Sequence, residues 1–434
     1  MNPERIELYP HVFFNRLTVD KFKTEQLTVY MVVPLQNERE ASHYALLPHV
    51  LRQGCNLYPS NTAISRRLEE LYSADLSSGV FKLGDRQVVA FSIGVLRREF
   101  VPDGTGLLQD AARILLDLIF NPFLDATTGV FPDATVEREK TNAANRIRSL
   151  MNNKAAYAKS RCLTHMCADE HYGIPEWGSV RETETVTPAS LYAAYRKLLS
   201  EARFEIYYSG TAESEPLTIA MCEAIASLHR YPCPLPPTEI RYTAKNRRFI
   251  SEKSVAAQAK LCIGFRAGTW LGGDDVAAFM LFHCIYGSSP TSKLFANVRE
   301  RLSLCYSCSS RAELSKGIFL VSAGIENKKR RRAVAEILRQ LRRIRAGKIT
   351  EDEMTMAKKT ICTQCRSLRD DVVATERWHL ARILIGISQT PDEIAAAVEA
   401  VSIRDVVRVA KHVSVDTVYF LHGTQEGGEE EYDD

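Results

Sequence analysis

Apolar residues along the chain fall into short runs of two periods, and the order of those runs occurs twice. Leu27 to Leu35 and Ala257 to Phe265 read as strands, because their apolar residues alternate or continue without a break. A helix is expected after each. Thr62 to Tyr72 and Ser292 to Glu300 then carry helical spacing, and each leads into paired strands, Asp75 to Gly94 and Leu304 to Gly324, with turn residues between them. Long helices are predicted over Gly106 to Phe120 and Arg331 to Ala346, then over Thr135 to Met151 and Glu351 to Ser367. Both series close on a helix opened by a capping residue, Thr187 before Pro188 and Ser402 before Ile403, and on a last strand. Those last strands nearly spell one word: Phe204-Glu-Ile-Tyr-Tyr-Ser-Gly-Thr211 and Val418-Tyr-Phe-Leu-His-Gly-Thr424, about half the chain apart.

Between the two series, Pro232, Pro234, Pro236 and Pro237 forbid regular helix or central strand. The expected organisation is therefore a first domain over 1–230, a proline-rich linker over 231–242, a second domain over 243–424 and an acidic, mobile tail over 425–434. Strands mixed with long helices in both halves imply a duplicated α+β plan, each half a mostly antiparallel sheet with helices packed mainly on one face. Two such domains can face each other across a cavity.

A chain of 434 residues is long enough for two cores. Neither a signal peptide nor an apolar run of membrane-spanning length is found, which points to the cytoplasm. Eleven cysteines, an odd number spread over both halves, fit reduced thiols better than a disulfide framework. A formal charge of +3 disfavours a dedicated nucleic-acid surface. One basic segment remains: Lys328 to Arg332, continued by Arg339, Arg342, Arg343 and Arg345, with Val334, Ile337, Leu338, Leu341 and Ile344 at helical spacing. It reads as an amphipathic helix with a solvated basic back, since stacking aromatics are not interleaved. An RNA contact is the alternative reading.

The second half contains Ser292-Lys-Leu-Phe295, Val298-Arg-Glu-Arg301 and Leu304-Cys-Tyr-Ser307. This stretch resembles the substrate-binding segment of the M16 (insulinase and mitochondrial processing peptidase) family. The resemblance implies that Arg299 and Tyr306 are the pair that holds substrate in the second domain. A guanidinium fork and a phenol suit that task, because they can grip peptide carbonyls or carboxylates. Leu115 to Phe123, Val136-Glu-Arg-Glu-Lys140 and His171-Tyr-Gly173 resemble the family too. The resemblance extends from about residue 25 to 424, implies two homologous M16-type domains of the LuxS/MPP-like fold, and is nearest to a bacterial inactive subgroup named for 5-aminopentanol modification of elongation factor P.

Active members carry His-x-x-Glu-His on a helix, two imidazoles one turn apart for zinc and a glutamate to activate water. The segment here is Ala45-Leu-Leu-Pro48-His49, so that only His49 remains. The third ligand, a glutamate in active relatives, falls on Arg146. The resemblance thus implies a degenerate site at Ala45, Pro48, His49 and Arg146, no bound metal, no cofactor and no catalysis by this chain.

Other ligand-type groups favour core packing. Cys305 and Cys308 are three apart in a strand and should point to opposite faces. Cys362 and Cys365 lack a second pair, and Cys162, His165, Cys167 and His171 match no zinc spacing. Neither a Gly-x-Ser-x-Gly elbow nor a phosphate-cradling glycine loop is found.

The expected role is a non-catalytic subunit that binds peptide or a small unfolded protein and pairs with an active, zinc-bearing M16 chain as a heterodimer. The alternative is a stand-alone or homodimeric binding module without proteolysis, linked to elongation factor P modification. Neither reading requires a membrane.

Overall fold

The structure, a computed structural model, describes residues 3–102, 104, 106–150, 152–255 and 258–424, the last of these by its backbone only. The acidic tail expected at 425–434 lies outside the described residues.

The first compact unit comprises residues 1–148, 174–237 and 372–380. Its sheet contains β1 (Glu4–Tyr9), β2 (Val12–Thr18), β3 (Thr24–Pro34), β4 (Asp75–Lys82), β5 (Arg86–Leu96) and β6 (Arg203–Gly210), in the order β1-β2-β6-β3-β5-β4. Only β2 and β6 run parallel; every other pair is antiparallel. The second unit comprises 149–173, 238–371 and 381–434. Its sheet holds β7 (Arg248–Val255), β8 (Ala259–Arg266), β9 (Cys305–Glu313), β10 (Ile318–Ile325) and β11 (Ser414–Thr424), in the order β7-β11-β8-β10-β9. Here too one pair, β7 with β11, is parallel and the rest are antiparallel. Dropping β1 makes the two orders identical strand for strand, so the duplicated α+β plan is present in topology as well as in sequence.

The caps read from the sequence form as expected. Thr187 and Ser402 each accept a hydrogen bond from the backbone of the residue three further on, Ser190 and Asp405, and donate their own backbone N–H to that residue's side chain, which completes a capping box. The strands β1, β2 and β7 were not anticipated. β1 and β7 are edge strands with largely polar sequences, and β7 alternates between half-buried and exposed along its whole length. Their pattern is that of a loop until a neighbour supplies the ladder.

Helices pack mainly on one face of each sheet, as expected, and a further helix lies on the opposite face. In the first unit Leu27, Val29, Met31 and Val33 of β3 join a core with helices Glu38–Leu51, Leu108–Phe120 and Pro188–Glu201. The opposite face of the same strand carries Tyr30, whose hydroxyl donates to Glu376 at 3.1 Å, on helix Val372–Ile383. Ser209 of β6 donates to the same carboxylate at 2.9 Å. In the second unit Cys262, Leu320, Tyr419 and Leu421 pack under Ala158, Cys162 and Met166 of helix Lys154–Met166. Gly264 makes that approach possible, since a Cβ there would lie 2.6 Å from the Met166 sulfur. β3 and β8 are therefore buried on both faces, which accounts for their near-continuous apolar runs.

The units are discontinuous in sequence as a result. Helix Lys154–Met166 comes from the earlier half yet belongs to the second unit, while 372–380 come from the later half and belong to the first. Residues 231–241 form no helix or strand, as their prolines require.

Candidate functional site

The residues expected to form a degenerate metal site lie in the first unit. Helix Glu38–Leu51 is capped by Asn37, whose side chain accepts from the Glu40 backbone, and it carries Ala45, Pro48 and His49 in its last turns. Pro48 is buried, whereas Ala45 and His49 are half-buried. Burial pushes the His49 imidazole down to about 4, and the Arg146 charge pushes in the same direction against the opposing pull of Glu139. His49 is consequently neutral at neutral pH.

Arg146 and Glu139 come from helix Asp133–Ser149. Glu139 is buried on the inner stripe with Val136 and Ala144, and its carboxylate accepts from Gln53 and Asn142 at 3.3 Å and from Arg138 at 3.2 Å. The sequence did not single out Glu139 as a functional residue. Its position on the apolar stripe of the helix was the available signal that it acts as a buried anion. The structure brings His49, Glu139 and Arg146 into one electrostatic neighbourhood.

This donor set does not fit zinc. It offers one imidazole and one carboxylate already engaged by three donors, with a guanidinium in place of the third ligand. A unit cation about 6 Å from a divalent ion costs on the order of 5 kcal/mol at an effective dielectric near 20. Among the described residues, no three His, Cys, Asp or Glu side chains converge to hold a metal ion.

Arg299 and Tyr306 lie in the second unit. The expected helix at 292–300 is observed as a wide, π-type turn over Phe295–Arg301, a local geometry frequent at functional sites. Two backbone bonds fold its end onto β9: Ser303 N donates to Arg299 O at 3.1 Å, and Leu304 N donates to Val298 O at 3.0 Å. Ser303 adopts a left-handed φ of 45° to complete the turn. Arg299 and Tyr306 thus flank one tight connection.

Both side chains are exposed. The Arg299 side chain remains 43% exposed, its guanidinium 4.6 Å from the Phe295 ring centre and 3.4 Å from the Glu300 carboxylate. Tyr306 is 69% exposed, a large fraction for a tyrosine on a strand. The neighbouring residues are structural anchors. Lys293 is buried and donates to both Glu353 oxygens, at 2.7 and 2.8 Å, while Glu353 also closes the capping box of Thr350.

A β-bulge explains the exposure of Tyr306. Ser307 pairs with Gly324 and Cys305 with Ile325, so Tyr306 is an extra residue opposite a partner strand that has none. The insertion reverses the facing of one residue and corrects the expectation that Cys305 and Cys308 point to opposite sides. Both thiols are buried and hydrogen-bonded to each other, with Cys305 pushed below the usual thiol range and Cys308 well above it.

The cysteines of the remaining clusters are core, as expected, whereas His165 is half-buried and His171 is exposed. Cys162 and Cys167 are fully buried, His165 stacks on Tyr419 with ring centres 6.2 Å apart, and Cys362 packs against Ala395 and Glu399. The basic helix forms over Arg330–Arg345 with Ala333, Ile337, Leu341 and Ile344 buried. Its back is not uniformly solvated: Arg345 donates to the carbonyls of Ala410 and Val413.

Residues 185–361 match the family described as Peptidase M16 inactive domain. The chain is 28% identical over 406 residues to the Bacillus subtilis protein named "Probable inactive metalloprotease YmfF", covering 94% of each. A conserved protein from Enterococcus faecalis V583 has a crystal structure that superposes with a TM-score of 0.88 at 28% identity, over 99% of this chain and all of that one. The M16 inactive domain from Pseudomonas fluorescens shares the fold with a TM-score of 0.78 at 15% identity, over 98% of this chain and 99% of that one. No described helix is long and apolar enough to cross a membrane.

Proposed function

We propose that this chain, similar to a protein named as a probable inactive metalloprotease and to the M16 inactive domain, is the non-catalytic, peptide-binding subunit of a cytoplasmic processing peptidase whose zinc site is carried by an active M16 partner. The observation that supports this is the contrast between its two candidate sites. Ala45 and Arg146 stand where metal ligands are expected and Pro48 where the base is expected, while Arg299 and Tyr306 stand exposed on a turn built by a π-type helix and a bulge. A strand bulge that turns a large aromatic group outward costs ladder bonds and apolar burial, a cost that binding through that group would offset.

In this reading the guanidinium grips carbonyl or carboxylate oxygens of an extended peptide, and the phenol donates a further hydrogen bond. The partner supplies metal-activated water. The test is to co-purify the chain with an M16 protein that retains His-x-x-Glu-His, encoded beside it, and to assay peptide cleavage. The mixture is expected to cleave, neither chain alone should do so, and Arg299→Ala with Tyr306→Phe should reduce cleavage without preventing assembly. Peptide binding by this chain alone, with no effect on any partner's activity, would favour the stand-alone binding module.

A further inference from the structure

Helix Ile403–His412 carries two stripes beside its buried face. Val406, Val409 and Ala410 are buried, Ile403 and Val407 are half-buried one turn apart, and Arg404, Arg408 and Lys411 recur at helical spacing on the exposed side. With His412 and Gly347 the two stripes line a groove of about 460 Å³ in the second unit. Gly347 forms its other wall, in the turn after helix Arg330–Arg345. The φ of this glycine, 74°, is left-handed, and a Cβ there would meet nothing within 4 Å, so the groove stays open on that side.

Hydrogen bonds to main-chain carbonyls tie the two walls together. Gly347 N donates to Ile344 O and Lys348 N to Arg343 O, each at 2.9 Å, while Arg345 donates Nε to the Ala410 carbonyl at 2.9 Å and a terminal guanidinium nitrogen to the Val413 carbonyl. The groove is thus shaped before anything enters it, which lowers the cost of binding there. Its charge is unbalanced. Arg408 is matched, 2.7 Å from Asp275 and 2.8 Å from Asp405. Arg404, Lys411 and His412 are exposed, and among the described residues their side chains make no hydrogen bond or ion pair. The helix dipole favours Lys411 and His412 in the last turn but disfavours Arg404 in the first, so helix stability does not account for Arg404.

We infer that this groove docks an acidic segment of a partner protein, with carboxylates on Arg404 and Lys411 and an aliphatic side chain between them against Ile403 and Val407. The two unmatched cations are seven positions apart, about 10 Å along the helix axis, so they read a pair of acids at that separation and not a single anion. Charge complementarity selects the acids, and the apolar stripe beside the cations selects what lies between them. No aromatic side chain lines the groove to stack on a nucleic-acid base. This holds whether or not Arg299 and Tyr306 bind peptide.

The test uses the full-length chain and a fluorescein-labelled synthetic peptide, Glu-Glu-Ala-Leu-Leu-Ala-Glu-Glu, with anisotropy as readout. The natural chain should bind this probe at low salt, lose it as salt is raised to about 0.5 M, and ignore the counterpart with Lys for Glu. Replacing Arg404 and Lys411 together by R404E and K411E should weaken binding at least about tenfold while circular dichroism stays unchanged. Val407→Ser, or serines for the probe's leucines, should weaken it by a smaller factor. No binding by the natural chain, or undiminished binding after the charge reversal, overturns the site. So does loss of the probe on Arg299→Ala with Tyr306→Phe, which would place it elsewhere in the chain. Phosphatidylserine vesicles that need Arg404 and Lys411, where the peptide does not bind, would assign a membrane surface and overturn the protein partner.

Discussion

Cys305 and Cys308 face the same side of β9 although they are three residues apart, because Tyr306 is the extra residue of a bulge between them. One inserted position thus does two things: it turns a pair of thiols inward and a phenol outward. The Cys305 thiolate is favoured first by the hydrogen bond from Cys308 and also by the Arg299 charge, against the cost of burial.

Cys308→Ala is therefore expected to raise the Cys305 pKa, since the donor is lost and burial stays. Arg299→Ala should raise it by a smaller amount. The check is the pH dependence of Cys305 alkylation by iodoacetamide, followed by mass spectrometry; a curve unmoved by Cys308→Ala would show that the thiols do not interact.

Arg299→Ala and Tyr306→Phe should each change unfolding free energy by less than about 0.5 kcal/mol, as exposed substitutions usually do. Each should weaken peptide binding about tenfold or more, the loss of a charge-assisted or phenolic hydrogen bond. Chemical denaturation beside calorimetric titration separates the two effects. A large loss of stability from either substitution would assign that residue to the fold.

Glu376 is fully buried among Tyr30, Ser209, Gln26 and Thr28, and burial raises its carboxyl to about 7 against hydrogen bonds that lower it. A folded pKa above the unfolded value means that the folded state holds the proton more tightly. The stabilising contribution is then complete below about pH 4.5 and is lost as pH rises through about 7. The full difference is on the order of 3 kcal/mol. Glu376→Gln keeps an acceptor without a charge, so its stability relative to the natural chain should improve between pH 5 and pH 8, to about that extent. Urea midpoints across that range measure it, and a constant difference at all pH values would refute the assignment.

Arg146→Glu should raise the His49 pKa from about 4, because a repelling charge is exchanged for an attracting one. Imidazole proton shifts in a pH titration report this directly. Adding Ala45→His and Pro48→Glu supplies the missing ligand and base; by metal analysis the triple variant is expected to bind about one zinc per chain and the natural chain is expected to bind none. Failure of the triple variant to retain zinc, with its fold intact, would mean that these positions do not surround a former metal site.

The duplicated plan was legible because it is written in periodicity and caps: the twin last strands and the Thr187 and Ser402 boxes need only local pattern. Arg299 and Tyr306 were singled out only by their flanking words, of which Lys293 proves to be a buried anchor to Glu353. The bulge at Tyr306 was not legible, since a strand read with strict period two has no place for an extra residue. Nor was the reach of helices 154–166 and 372–383 onto the sheets of opposite halves. Their sequences state that one side is apolar and do not state which sheet will meet it.

That exchange of helices sets the order in which the polypeptide can finish itself during synthesis. The outer side of the first sheet, with Tyr30 and Ser209, waits for Glu376, which emerges from the ribosome well after the last strand of that sheet. Helix Lys154–Met166, made early, has no sheet to lie on until β8, β10 and β11 exist. Neither half can mature ahead of the other, so a nascent chain halted near the proline run would carry two unsheltered faces, one of them apolar, and would be a natural client for chaperones.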